Sequence, residues 1–325
     1  MFDVITIGAA IRDVFLVSDQ FTMIRSPKFE TGIGECVALG AKINVDTIVQ
    51  TTGGGATNAA VTFARLGFTT AAVCRVGEDR AAEEIIWDLE GEGVDTSLIK
   101  RIKGGQTGYS TLLTAASGER SILTFRGVSA GFETKDVPLK ECLGKCFYVT
   151  SLAGNLELAE RIASQAVRCQ ALMAWNPGRA ELAKGLAKVK SVLSAVNILL
   201  VNREEAQLVT KEKDLSGMFA RLAAPGLVVI ITDGEHGAHA AKDGNIWFAG
   251  TTGVKSLSRT GAGDAFGSGF VAEWMKTKDV KTSLAVGILN AESVIQHIGA
   301  KIGILRKWPS KKDLANIPVK TLASV

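Results

Sequence analysis

Short continuous apolar runs alternate along the chain with stretches whose apolar positions recur at helical spacing. The runs DVITIG (3–8), TTAAVCRVG (69–77), KCFYVTSL (145–152), ALMAWN (171–176), VNILLVN (196–202) and GLVVIITDG (226–234) predict buried strands. NAAVTFARLG (58–67) predicts a helix stopped by Gly67, and DRAAEEIIWDLEGEG (79–93) an amphipathic helix. These strands are apolar throughout rather than on alternate residues, so both of their faces need cover. Continuous strands separated by helices predict an α/β fold with a parallel sheet between two helical layers.

Two regions depart from this rhythm. Residues 14–52 include the alternating AKINVDTIV (41–49), and residues 106–126 carry two β-type runs around ASGE, which reads as a hairpin. They predict a small β-rich lid, residues 14–52 and 106–128, on a body made of 1–13, 53–105 and 129–325. From Trp308 onward the chain reads as a closing segment without chemistry.

Composition narrows the function. Apolar residues make up 46% and charged residues 22% of 325, as in an ordinary globular protein. The net charge of +4 is spread out, with no basic block interleaved with aromatics, so no nucleic-acid partner is expected. MFDVITIGAAIRD reads as a first strand and not a signal peptide, and no apolar run is long enough for a membrane span. Five scattered cysteines predict reduced thiols in a cytoplasmic chain. Cys142 and Cys146 have no second Cys/His pair, and His236 and His239 lack a metalloprotease context, so a zinc site is not expected.

The stretch RTGAGDAFGSGF (259–270) sets three small residues before Asp264 and an apolar run after it. If Gly261–Gly263 turn and Asp264 begins a helix, the free N–H groups and aligned peptide dipoles make an anion site of bare backbone. The plainer alternative is that Asp264 caps the helix. A dinucleotide fingerprint is absent, since GAAIRD follows the first strand, and GTTGVKS (250–256) lacks the glycine before Lys that a Walker A loop needs. Other strand ends are also polar or glycine-rich. GGGATNAA (53–60) ends in Asn58, Asp13 closes GAAIRD, LVNREEA (200–206) carries Asn202 and Glu205, and ITDGEHGA (231–238) carries Thr232, Gly234 and Gly237. Together they point to one crevice.

With these motifs, in this order over roughly 3–300, the sequence resembles the ribokinase-like (PfkB) carbohydrate kinases. GGGATNAAVTFARLG and TGAGDAFGSGF resemble the family's two signatures, NREE its N-x-x-E, and TDGEHG its T-x-G-x-x-G. The resemblance implies a three-layer α/β/α domain with a mostly parallel sheet and a lid. It implies phosphoryl transfer from ATP to a primary hydroxyl of a sugar or nucleoside. Asp264 would be the base, and the amides of Gly261, Ala262 and Gly263 would hold phosphate charge. Asn202 and Glu205 would act near Mg²⁺, Thr232, Gly234 and Gly237 would line the nucleotide, and Asn290 would lie near adenine. Asp13, Gly53, Gly54 and Asn58 would grip acceptor hydroxyls, and Arg126 would reach an anionic group.

The departures matter as well. Ile11 stands where ribokinases usually carry Asn, and no Glu stands near Leu152–Ala153, so ribose is not implied. Ser258 replaces an Asp that helps hold a monovalent cation, which leaves potassium dependence open. Arg259 stands next to it, placed to supply positive charge near the phosphates. Two rivals stay in view. One is a nucleoside kinase, which would need an aromatic stacking partner such as Phe15, Phe21 or Phe29 in the lid. The other is a non-catalytic sugar-binding regulator. Lids of this type can also pair between two copies through an exposed sheet edge.

Overall fold

Nine strands form the main sheet of the computed structural model, which describes residues 1–29, 32–115 and 120–322. Thr70–Val73, Phe2–Ile7, Gly144–Val149, Leu172–Trp175, Ile198–Asn202 and Val228–Thr232 run parallel, in that order across the sheet. The pleat explains why their sequences are apolar at every position. Val4 packs on one face with Phe63, Phe266, Phe270 and Leu284. Ile5 and Ile7 pack on the other with Leu158, Ile162, Val209 and Phe219. The helices Gly55–Arg65, Ala262–Thr277 and Val280–Ile295 cover the first face, and Leu156–Arg168, Leu186–Leu193, Arg203–Thr210 and Leu215–Leu222 cover the second. The expected three-layer α/β/α body is therefore present.

Three antiparallel strands, Ala238–Lys242, Asn245–Ala249 and Val319–Leu322, extend the sheet beyond Val228–Thr232. The third lies in the tail after Trp308, so that segment also completes the sheet. The helix expected from residue 58 begins at Gly55, and Asn58 lies inside it.

A second sheet has the order Arg120–Phe125, Gly108–Ala115, Ile11–Ser18, Thr47–Gly53. Arg120 pairs with Thr114 and Phe125 with Tyr109, as a hairpin requires. The ASGE turn itself lies outside the described residues. AKINVDTIV is only partly a strand, because pairing begins at Thr47. Before that, Ser18 Oγ donates to Asn44 O at 2.6 Å and Asp46 N–H donates to Val17 O at 2.9 Å, which holds the chain in a turn. Asp13 lies within Ile11–Ser18, opposite Thr51 and Ser110, and Gly53 ends its strand. The second sheet therefore carries Asp13 itself.

Candidate active site

Gly261 adopts φ 82°, in the left-handed region, and a Cβ there would come within 2.5 Å of Ala300 Cβ. Its turn lets a helix start at Ala262, two residues before the expected Asp264. Gly263 and Asp264 therefore lie in the first helical turn. Ala262 N–H donates to Arg259 O at 3.3 Å, which removes one of the three expected anion-binding amides. Among the described residues, the N–H groups of Gly261 and Gly263 have no such partner. A side chain on Gly263 would meet no atom within 4 Å, so the space over these amides is open.

Asp264 does not cap its helix. The residue at the cap is Gly261, with no side-chain bond. The half-buried Asp264 carboxylate accepts a hydrogen bond from Asn58 Nδ2 at 2.8 Å instead. Burial raises its pKa above the usual carboxylate value, and the Asn58 bond opposes the rise. Asn58, 3% exposed, thus aims the acid through Nδ2, while its Oδ1 has no partner among the described residues.

Asp13 is 7% exposed. Its carboxylate lies over Gly53, where a Cβ would come within 2.1 Å of Oδ2, so only glycine leaves it room. Desolvation pushes its pKa up to about 6. A hydrogen bond from Ser110 and the charges of Lys301 and Arg12 oppose the rise, and the Asp264 charge adds to it. Asp13 and Asp264 therefore share one neighbourhood.

A cavity of about 490 Å³ opens beside the amides. Asn202, Thr232, Gly234, Gly237, Ala262 and Gly263 line it, whereas Asp13, Gly53, Gly54, Asn58 and Glu205 do not. Arg259 also lines it and stands 3.8 Å from Glu235, with both side chains exposed. Glu205 is held behind Asn202 in a reciprocal cap. Asn202 Oδ1 accepts from Glu205 N–H at 2.8 Å, and Glu205 Oε2 accepts from Asn202 N–H at 2.9 Å. Burial raises the Glu205 pKa.

One expectation fails. Asn290 is fully buried away from the cavity. It donates to Ala265 O at 2.7 Å and to Thr62 Oγ1 at 3.3 Å, and accepts from Leu305 N–H at 3.0 Å. It ties helices together, because its face of Val280–Ile295 points into the core. Ile288, Ala291 and Glu292 form the cavity wall instead. Arg126 is exposed before the short turn Gly127–Gly131, and its carbonyl lies against Gly108, which pairs with the start of the strand that carries Asp13.

Some positions around the site carried little signal in the sequence. Glu292 takes Thr252 N–H at 2.5 Å and Thr252 Oγ1 at 2.8 Å, which fixes the loop over the cavity. Lys301 is 6% exposed and reaches Thr52 and Asp88. A lysine within the otherwise apolar and glycine-bearing IGAKIGIL is the one hint. Phe15 and Phe21 are buried, at 1% and 7%, and Phe29 lies against Gly34. Phe15 and Phe21 are therefore committed to packing and offer no face for stacking a base.

Open amides at a helix end, with a carboxylate held beside them, suit an enzyme that moves an anionic group onto an acceptor it deprotonates. The family described as "pfkB family carbohydrate kinase" matches residues 1–307, and the chain belongs to that family. It is a carbohydrate kinase. It is 27% identical over 251 residues to an uncharacterized sugar kinase of Archaeoglobus fulgidus, covering 75% of this chain and 98% of that one. It is 28% identical over 247 residues to an ATP-dependent ribose-1-phosphate kinase of Halopiger xanaduensis, covering 74% and 81%. A solved carbohydrate kinase from Agrobacterium tumefaciens shares the fold, with TM-score 0.75 at 20% identity over 99% of this chain and 100% of that one.

Proposed function

We propose that the enzyme transfers the γ-phosphoryl group of ATP to a primary hydroxyl of a small sugar or sugar derivative. The nucleotide takes the cavity, and the acceptor lies between Asp13 and Asp264. The observation that carries this is the Asp264 carboxylate, turned away from capping and held by Asn58 beside unpartnered amides. Asp264 Oδ accepts the hydroxyl proton as the oxygen attacks phosphorus. The Gly261 and Gly263 amides meet the charge that builds on the transferring group. Asp13 receives two hydroxyls of the acceptor, one on each carboxylate oxygen.

Mg²⁺ fits the donor set. Glu205 uses Oε2 in its cap and keeps Oε1, and Mg²⁺ retains most of its waters, so one carboxylate oxygen beside phosphates is enough. When bound with the nucleotide it neutralises phosphate charge. We place the second sheet as a lid over the acceptor, excluding water, with Asp13 moving as part of it. Its outer strand exposes Ile122, Leu123 and Phe125, which favours pairing between two copies. The five cysteines are free, which supports the cytoplasm as its place.

The test is ADP release with sugars, sugar acids, sugar phosphates and nucleosides. At least one sugar or sugar derivative is expected to turn over. ATP binding without turnover of any acceptor would favour the regulator. Arg259→Ala tests the cavity mouth. The loose Glu235 pair leaves the guanidinium available to a phosphate, and such a charge-assisted bond contributes about 1.5–3 kcal/mol. The ATP KM is expected to rise roughly tenfold or more, and an unchanged ATP KM removes Arg259 from the nucleotide site.

A further inference from the structure

We propose that Lys301 is a positioning residue for the acceptor: its buried ammonium joins Thr52, one residue before the end of the lid strand, to Asp88, and so fixes Asp13 relative to the helix end at Gly261. The proposal rests on the functional reading above and names a residue outside its binding groups.

Residues 299–301 pass between the two halves of the site. Ala300 packs against Gly261, and a Cβ on Gly299 would come within 2.9 Å of the Thr51 side chain. Lys301 Nζ donates to Thr52 Oγ1 at 2.6 Å and to Asp88 Oδ2 at 2.9 Å, and Thr52 Oγ1 donates to the same Asp88 oxygen. Its backbone is anchored too. Arg65 Nη1 donates to Lys301 O at 2.9 Å, while Arg65 pairs with both carboxylate oxygens of Glu92. Thr52 precedes Gly53, the bed of the Asp13 carboxylate, and its neighbour Thr51 pairs directly with Asp13. A shift at Thr52 is therefore a shift of the acceptor site.

Charge decides between this role and simple packing. Removing an ammonium from water costs several kcal/mol, and the partner Asp88 is still 37% exposed. A methionine would fill similar space without that cost, so what position 301 supplies is the charge. The ionisable groups facing Lys301 are Asp88, Asp13 and Cys74. Those facing Asp13 are Lys301, Arg12 and Asp264.

The test uses Lys301→Met, Lys301→Arg and Thr52→Val, with an acceptor that the wild type phosphorylates and direct titration of a non-hydrolysable ATP analogue. Lys301→Met is expected to raise the acceptor KM about tenfold or more, with analogue affinity within about twofold. The acid limb of kcat/KM for the acceptor should move to higher pH, because Asp13 loses a neighbouring cation. Lys301→Arg should recover part of the KM. Thr52→Val, which removes the Lys301 contact to the lid strand and keeps the Lys301–Asp88 pair, should raise the acceptor KM several-fold. A folded Lys301→Met enzyme with wild-type acceptor KM and pH limb, or with equal losses for both substrates, overturns the proposal. If that variant does not fold, an unchanged acceptor KM in Thr52→Val overturns it. A wild type that phosphorylates no acceptor overturns the functional reading, and this proposal with it.

Discussion

Asp264→Asn is expected to lower kcat by about 10²–10⁴-fold, the range for loss of a general base, while nucleotide affinity changes little. The amide is the informative replacement. Its oxygen still accepts from Asn58 Nδ2, so the 2.8 Å contact and the helix start survive and only proton acceptance is lost. Asp264→Ala would also leave the Asn58 amide without its partner, mixing a structural loss with a chemical one. The pH profile supplies a second reading. Burial raises the Asp264 pKa, so the wild-type rate should fall on the acid side at a pH above the normal carboxylate range. The limb belongs to the ionised base, so activity is present above it and lost as pH falls. Steady-state rates across pH, with nucleotide binding measured separately, check both points. A variant within a few-fold of wild type removes Asp264 from the chemistry.

The sequence exposed the parts of the fold whose burial is complete. Parallel strands covered on both faces must be apolar at every position, so residues 3–8 or 226–234 stand out against any background. The strands Ala238–Lys242, Asn245–Ala249 and Val319–Leu322 lie toward one edge of the sheet, where burial alternates or fades and that signal is lost. The site follows the same logic. Glycines were legible because backbone must be bare where ligands or carboxylates approach it, as at Gly53 and Gly263. Direction was not legible. Asn58 and Asn290 are both polar residues in helices, yet one meets Asp264 and the other closes a core junction. Which face a helical residue presents depends on where the helix begins, and Gly54 starts that helix earlier than the apolar pattern does. Lys301 was hidden for a related reason. Its partners Thr52 and Asp88 lie more than 200 positions away, and only the packed chain joins them.

Asp13→Asn is expected to stabilise the fold at neutral pH while disabling acceptor binding. Folded, the Asp13 carboxyl releases its proton near pH 6, and unfolded near 3.8. Between those values the native state binds more protons, so the stability of the protonated form is fully present below about 3.8 and lost as pH rises through about 6. At pH 7 the ionised group therefore weakens the fold by up to roughly 3 kcal/mol. An amide keeps a hydrogen bond to Ser110 and carries no charge to desolvate, so the gain should appear at pH 7 and shrink toward pH 4. Denaturant midpoints at the two pH values measure it. The functional loss follows from the same charge. Two charge-assisted bonds to acceptor hydroxyls become one neutral acceptor and one mismatched donor, at about 1.5–3 kcal/mol each. The acceptor KM should rise about 10²-fold or more, with the ATP KM near wild type. An unchanged acceptor KM would therefore remove Asp13 from the site, and a midpoint at pH 7 no higher than wild type would show that its burial costs nothing.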